Sequence, residues 1–167
     1  MYISIDIETD GPVASVNSMI ALGAVAVEPG LERTFYATIK AITPNFDVEA
    51  LGVVGFTREQ TLAFEEPKIV IPRFFNWLAE ITSKPIFVAD NPGFDFAFVN
   101  WYAFKYYGHN PFGHSSRSIA DLFRGLRRNI RADLETLQVT AHDHNALNDA
   151  MGNAEVLLAV ANQLGIK

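Results

Sequence analysis

Five side chains in three short segments have types and spacings that could do chemistry: Asp6 and Glu8 in Ile5-Asp6-Ile7-Glu8-Thr9, Asp95 in Phe94-Asp95-Phe96, and His144 with Asp149 in His144-Asn145-Ala146-Leu147-Asn148-Asp149. Carboxylates are the hard oxygen donors that Mg²⁺ and Mn²⁺ favour, and an imidazole, which in water titrates at about 6.5, can accept a proton from water. The chain contains no cysteine, so disulfides and thiolate metal sites are excluded, and a metal here is held by oxygen or imidazole. Each fragment alone also has a plain explanation. Glu8 could already lie in the turn after a strand, Asp95 could favour a helix N-terminus through the dipole, and His144, like His142, could be an exposed loop histidine.

The elements that must position these groups are readable from hydrophobic periodicity. Residues 2–7 alternate with period two and read as a strand, on which Asp6 and Glu8 point to one side. Residues 19–28 form a largely apolar second strand. Pro29-Gly30 turns the chain, and residues 31–40 return as a third strand, so short links imply an antiparallel meander. Residues 47–64 hold one or two short helices, with Thr57 as an N-cap. Pro67 opens a helix to about residue 82, with Ile71, Phe74, Phe75, Leu78 and Ile81 at helical spacing. Residues 85–89 are a short fourth strand, and Asn91-Pro92 caps and opens a helix to about residue 107. Residues 117–120 make a fifth short strand, followed by helical pieces at 121–128 and 132–140. The last helix runs from 145 to 164, with Gly165 as its C-cap. This order predicts an α/β fold, a mixed sheet with helices on both faces. If the fourth strand lies parallel beside the first, Asp95 starts its helix at the sheet edge where Asp6 and Glu8 end theirs.

The three segments together resemble the exonuclease motifs of the DEDDh (DnaQ-like) 3′→5′ exonucleases of the ribonuclease H-like superfamily. Asp6-Ile7-Glu8-Thr9-Asp10-Gly11 is similar to the first motif, and Ile20-Ala21-Leu22-Gly23-Ala24-Val25 to the strand after it. Asp95 corresponds to the aspartate of the second. His144 and Asp149, five apart, match the third in its histidine form; the tyrosine form would place a tyrosine where Asn145 stands. Asp90-Asn91-Pro92-Gly93 replaces the His-Asn pair common before the second aspartate, Val54 stands where a histidine is common, and Ala21 where a glutamate is frequent. The resemblance implies a ribonuclease H-like mixed five-stranded sheet, with a three-strand antiparallel meander plus parallel strands, flanked by helices. It implies an enzyme that hydrolyses phosphodiester bonds from the 3′ end of single-stranded RNA or DNA and releases nucleoside 5′-monophosphates. Asp6, Glu8, Asp95 and Asp149 would bind two Mg²⁺ or Mn²⁺ ions and His144 would be the general base. Thr9 would contact the terminal nucleotide through its backbone and Phe56 by stacking, although Phe56 reads equally well as core.

Composition bounds these expectations. At 167 residues, 49% apolar and 19% charged, the chain is expected to be one globular domain, residues 1–167. No apolar run reaches spanning length and no basic n-region opens the chain, so neither membrane insertion nor a cleaved signal is expected, and the enzyme is expected in the cytoplasm. A net charge of −6 argues against binding nucleic acid mainly by counterion release. Arg117, Arg124, Arg127, Arg128 and Arg131 nevertheless cluster, either as a solvated face or as a phosphate-steering patch. Eight of the twenty aromatic residues fall between Phe94 and Tyr107, enough to occupy every helix face, which predicts burial on more than one side or a homodimer interface. Two rival functions are a proofreading subunit acting beside a DNA polymerase, and a catalytically silent binding module. The second gives no reason for the crowded acids.

Overall fold

β1 (Tyr2–Thr9), β2 (Met19–Ala26) and β3 (Thr34–Thr38) pair as the antiparallel meander that their short links require. The computed structural model describes residues 1–164, without the side chains of Glu135, Thr136 and Leu164, so the expected cap at Gly165 lies outside the described residues. β4 (Ile86–Ala89) joins the other side of β1 in parallel, with Ile3 opposite Phe87. β5 (Ser116–Ser118) adds another parallel strand, giving the order β3-β2-β1-β4-β5. This is the mixed five-stranded sheet expected from the sequence, with β1 in its interior. β3 is shorter than its apolar pattern because Leu31 still belongs to the turn, at φ 51°, its amide donating to the Glu28 carbonyl.

One face of the sheet carries Ile3, Ile5 and Ile7, and α3 (Pro67–Ile81) and α4 (Pro92–Tyr106) cover it. α3 buries Val70, Ile71, Phe74, Phe75 and Leu78, the predicted 3–4 spacing. α4 departs from expectation. Asp95, Phe98, Val99, Tyr102 and Ala103 form the buried stripe and Phe96, Trp101, Tyr106 and Tyr107 pack partly buried against the same core, but Phe104 is 60% exposed, so the aromatics do not cover every side. Between β3 and α3 lie α1 (Val48–Val54) and α2 (Arg58–Ala63). The Gln60 amide donates to Thr57 Oγ1 and the Thr57 amide to Gln60 Oε1, a capping box that starts α2 where the sequence placed a cap.

The opposite face is covered by α6 (Ala146–Leu164), with α5 (Ile119–Arg127) beside it. The Asp121 amide donates to Ser118 Oγ, so Ile119 and Ala120 belong to α5 and not to a strand. The helix expected at 132–140 is only a 3₁₀ turn, Leu134–Leu137, because the Val139 and Thr140 amides are taken by the Glu155 carboxylate. No helix among the described residues is long and apolar enough to cross a membrane.

α6 lies very close to β2. A Cβ at Gly23 would run into the Ala146 carbonyl and the Leu147 amide, and Gly23 is the residue paired with Asp6 across the β1–β2 ladder. Backbone blocks both sides of that contact. Gly23→Ala is therefore expected to cost about 3 kcal/mol in urea unfolding and to cut activity, since α6 must move away. A loss under 1 kcal/mol with full activity would show that the approach is not needed.

Candidate active site

Strand parity puts Ser4, Asp6 and Glu8 on the face that α6 covers, opposite the buried isoleucines. Asp6 is partly buried and Glu8 is 8% exposed. A register shift between Glu8 and Thr9 ends the regular ladder just past the second carboxylate. Because β4 runs parallel to β1, α4 starts at the same edge and delivers Asp95, 7% exposed, from its first turn. The start is proline-driven: Pro92 occupies the first turn, and the Asn91 side chain makes no capping bond. Asp149 comes from the first turn of α6 and is 2% exposed. Here the asparagine does cap, as Asn145 Oδ1 accepts from the amides of Leu147 and Asn148.

The loop into α6 is held at both ends. Glu155 takes the Val139 and Thr140 amides and the Thr140 hydroxyl, and Asp143 accepts from the Asn145 amide and Asn148 Nδ2. Between these anchors His144 sits at φ 59°, in the left-handed region, with its side chain in solvent.

A single open cleft is lined by Asp6, Glu8, Asp95, His144 and Asp149, joined by Asp90, Asn91, Phe94 and His142. All five residues picked out in the sequence therefore meet at one place. Oxygens of Asp6, Glu8 and Asp149 lie within 4.8 Å of one another. Asp149 Oδ1 accepts the Asp143 amide at 3.1 Å; its buried Oδ2 makes no hydrogen bond but faces His142 Nδ1 at 2.9 Å, within ion-pair distance.

This crowding is electrostatically costly. Burial, and then the charges of Asp95, Glu8 and Asp149, push the Asp6 carboxyl well above the usual range. Burial and the Asp149 and Asp95 charges push Glu8 to about 8. Burial likewise carries Asp95 to about 7, against backbone hydrogen bonding at Asp95 and Ile7 that pulls downward, and it raises Asp149. Divalent cations remove this cost, and the buried Oδ2 without a donor is what a metal ligand looks like before loading. The donor set fits a divalent metal.

A pH dependence follows. Groups whose folded pKa is raised contribute stability that is fully present below their unfolded pKa and is lost as pH rises through the folded value. In chelator the melting temperature is thus expected to fall on the order of 5 °C between pH 5 and pH 9, with saturating Mn²⁺ flattening the slope. A chelated protein more stable at pH 9 than at pH 5 would contradict the carboxylate crowding.

Neither residue expected at the terminal nucleotide lines this cleft. Thr9 is buried at the end of β1, and Phe56 packs with Ile20, Ala41 and Leu51 and edge-on to Phe64, its ring centroid 5.0 Å away. Asp10, inside the first motif, is structural: its fully buried carboxylate pairs with Arg58 at 2.9 Å and so ties the end of β1 to α2. Of the arginine cluster, Arg124 lines a neighbouring hollow that shares Asp6, Asp90 and His142 with the cleft. The sequence reading did not single out Asp90 or the approach of His142 to Asp149. An acid at the end of β4 and a second histidine two residues from the first were the available signals.

The RNase_T exonuclease family model matches residues 3–157. The 3′-5′ DNA exonuclease Cap18 of Escherichia coli is 31% identical over 93% of this chain and 89% of its own length. A PolC-type DNA polymerase III of Thermotoga petrophila is 25% identical over 94% of this chain, which spans 12% of that polymerase. Among solved structures, the nuclease domain of 3′hExo, a DEDDh family member bound to rAMP, superposes with a TM-score of 0.79 at 16% identity over 97% of this chain and 92% of that one.

Proposed function

The chain belongs to the RNase_T exonuclease family and is a 3′→5′ exonuclease of nucleic acid; from that premise we propose that it shortens single-stranded DNA from the 3′ end, releasing nucleoside 5′-monophosphates. The observation that carries this is the meeting of Asp6, Glu8 and Asp149 oxygens within 4.8 Å, with Asp95 and His144 lining the same cleft. Asp6, Glu8, Asp95 and Asp149 would hold two Mg²⁺ or Mn²⁺ ions, which when bound would supply Lewis acidity at the scissile phosphodiester. His144, exposed on its anchored loop, takes the proton from the water. Phe94, 39% exposed at the cleft wall, offers an aromatic face to a base, a better-placed candidate than Phe56. Thr9 keeps only its backbone for such a contact.

The DNA assignment is supported by the names of the relatives, both DNA enzymes. The PolC-type match supports a second reading, proofreading beside a polymerase. A cytoplasmic location and a homodimer formed through the exposed side of α4 around Phe104 complete the proposal.

The test uses 5′-labelled DNA and RNA of one sequence with Mn²⁺, Mg²⁺ or chelator. Stepwise 3′ shortening that needs metal and is faster on DNA is the expected result. Faster RNA shortening overturns the DNA assignment, and shortening in chelator overturns the metal mechanism. Binding without cleavage under any metal would favour the silent module.

A further inference from the structure

Next to the carboxylate cluster lies a second donor set of different chemistry. His142, His144 and Asp149 each present a ligand atom, and the three atoms lie within 4.8 Å of one another. The two imidazoles meet edge to face, with centroids 4.6 Å apart at 72°. His142 Nδ1 stands 2.9 Å from Asp149 Oδ2, the buried oxygen that accepts no hydrogen bond. Asp143, between the histidines in sequence, does not compete, because its carboxylate is occupied by the Asn145 amide and Asn148 Nδ2.

Two imidazoles and one carboxylate suit Zn²⁺, which takes nitrogen and oxygen at about 2.0–2.2 Å in four-coordinate sites; Mg²⁺ favours oxygen alone. Ligand atoms around such an ion stand roughly 3.3 Å apart by tetrahedral geometry. Small rotations of the exposed rings reach that spacing, since the His142 side chain is 49% exposed and the loop backbone is held at both ends. We propose that His142, His144 and Asp149 form an inhibitory site for a nitrogen-preferring divalent cation of the Zn²⁺ class. The consequence rests on the proposed mechanism: one such ion occupies the proton acceptor and withdraws a carboxylate that the oxygen-bound pair requires. The same cleft thus binds one class of ion to work and another to stop.

The experiment separates binding from catalysis. Zn²⁺ is titrated calorimetrically into Asp6→Asn, which weakens the all-carboxylate site but leaves the histidine set whole, and into Asp6→Asn/His142→Ala. Co²⁺ is added to both, and its visible absorption reports nitrogen ligation. One Zn²⁺ equivalent in the first protein and at least tenfold weaker binding in the second are expected, with the nitrogen-ligated Co²⁺ spectrum lost. In hydrolysis with excess Mn²⁺, His142→Ala is expected to need at least ten times more Zn²⁺ than the wild type for half inhibition of its own rate. Equal Zn²⁺ affinity of the two Asp6→Asn proteins, or equal inhibition with and without His142, overturns the site. Zn²⁺ binding that depends on His142 in a protein with no hydrolysis under any metal supports the site and defeats the functional reading instead.

Discussion

Asp6→Asn is expected to lower the hydrolysis rate about 10³-fold or more while making the metal-free protein more stable at pH 8. The rate loss follows from removing one of the proposed ligands of ions that would contribute several kcal/mol to the transition state, at about 1.4 kcal/mol per decade. The gain in stability has the opposite sign because of where Asp6 sits. Its carboxyl is raised first by burial and then by Asp95, Glu8 and Asp149, so in the unloaded protein its charge is a cost to folding. Asparagine keeps the shape and removes that charge. Melting in chelator at pH 8 should therefore be higher for the variant by a few degrees, and in excess Mn²⁺ the order should reverse as the wild type gains bound ions. A variant less stable than the wild type in chelator would mean that Asp6 is a structural acid, and a rate loss below tenfold would mean that the ions sit elsewhere.

His144→Asn is expected to reduce kcat by about 10²–10⁴-fold with KM little changed. Asparagine is chosen because His144 lies at φ 59°, a region that asparagine tolerates and most side chains do not, so the loop keeps its course. The side chain touches no buried carboxylate through a hydrogen bond, and the four proposed metal ligands are left in place. A fall in metal affinity equal to the fall in rate would show a ligand rather than a base. A rate loss below tenfold would pass the role to another group, with His142 the nearest.

The meeting of the five candidate residues in one cleft was largely legible in the sequence because it depends on local rules. Period two pairs Asp6 with Glu8, a parallel β4 brings the start of α4 to their edge, and Asn145 marks where α6 begins. Phe94 was visible as an aromatic beside Asp95, but its place at the cleft wall follows from how α4 turns its buried stripe toward the sheet. The proximity of His142 to Asp149 was not legible. It depends on a left-handed residue at 144 and on Glu155 tethering the loop from two turns further along α6. The missing helix at 132–140 has the same origin, since amides that would have continued it are bonded to that glutamate. Phe56, which the sequence left open between substrate contact and core, packs against Leu51 and Phe64; a hydrophobic residue between two short helices looks alike in sequence whether it faces a ligand or a neighbour.

The dependence of the site on α6 lying against Gly23 has a consequence for the making of the protein. β1 brings Asp6 and Glu8 out of the ribosome together, and Asp149 follows only after the intervening strands and helices have been translated. At 5–20 residues per second the interval is roughly 7–30 s. During that time the growing chain carries two of the four acids, and three once Asp95 has followed, and the cleft still lacks α6. Drawing the cleft from segments so far apart along the chain leaves each unfinished copy without a complete set of acids.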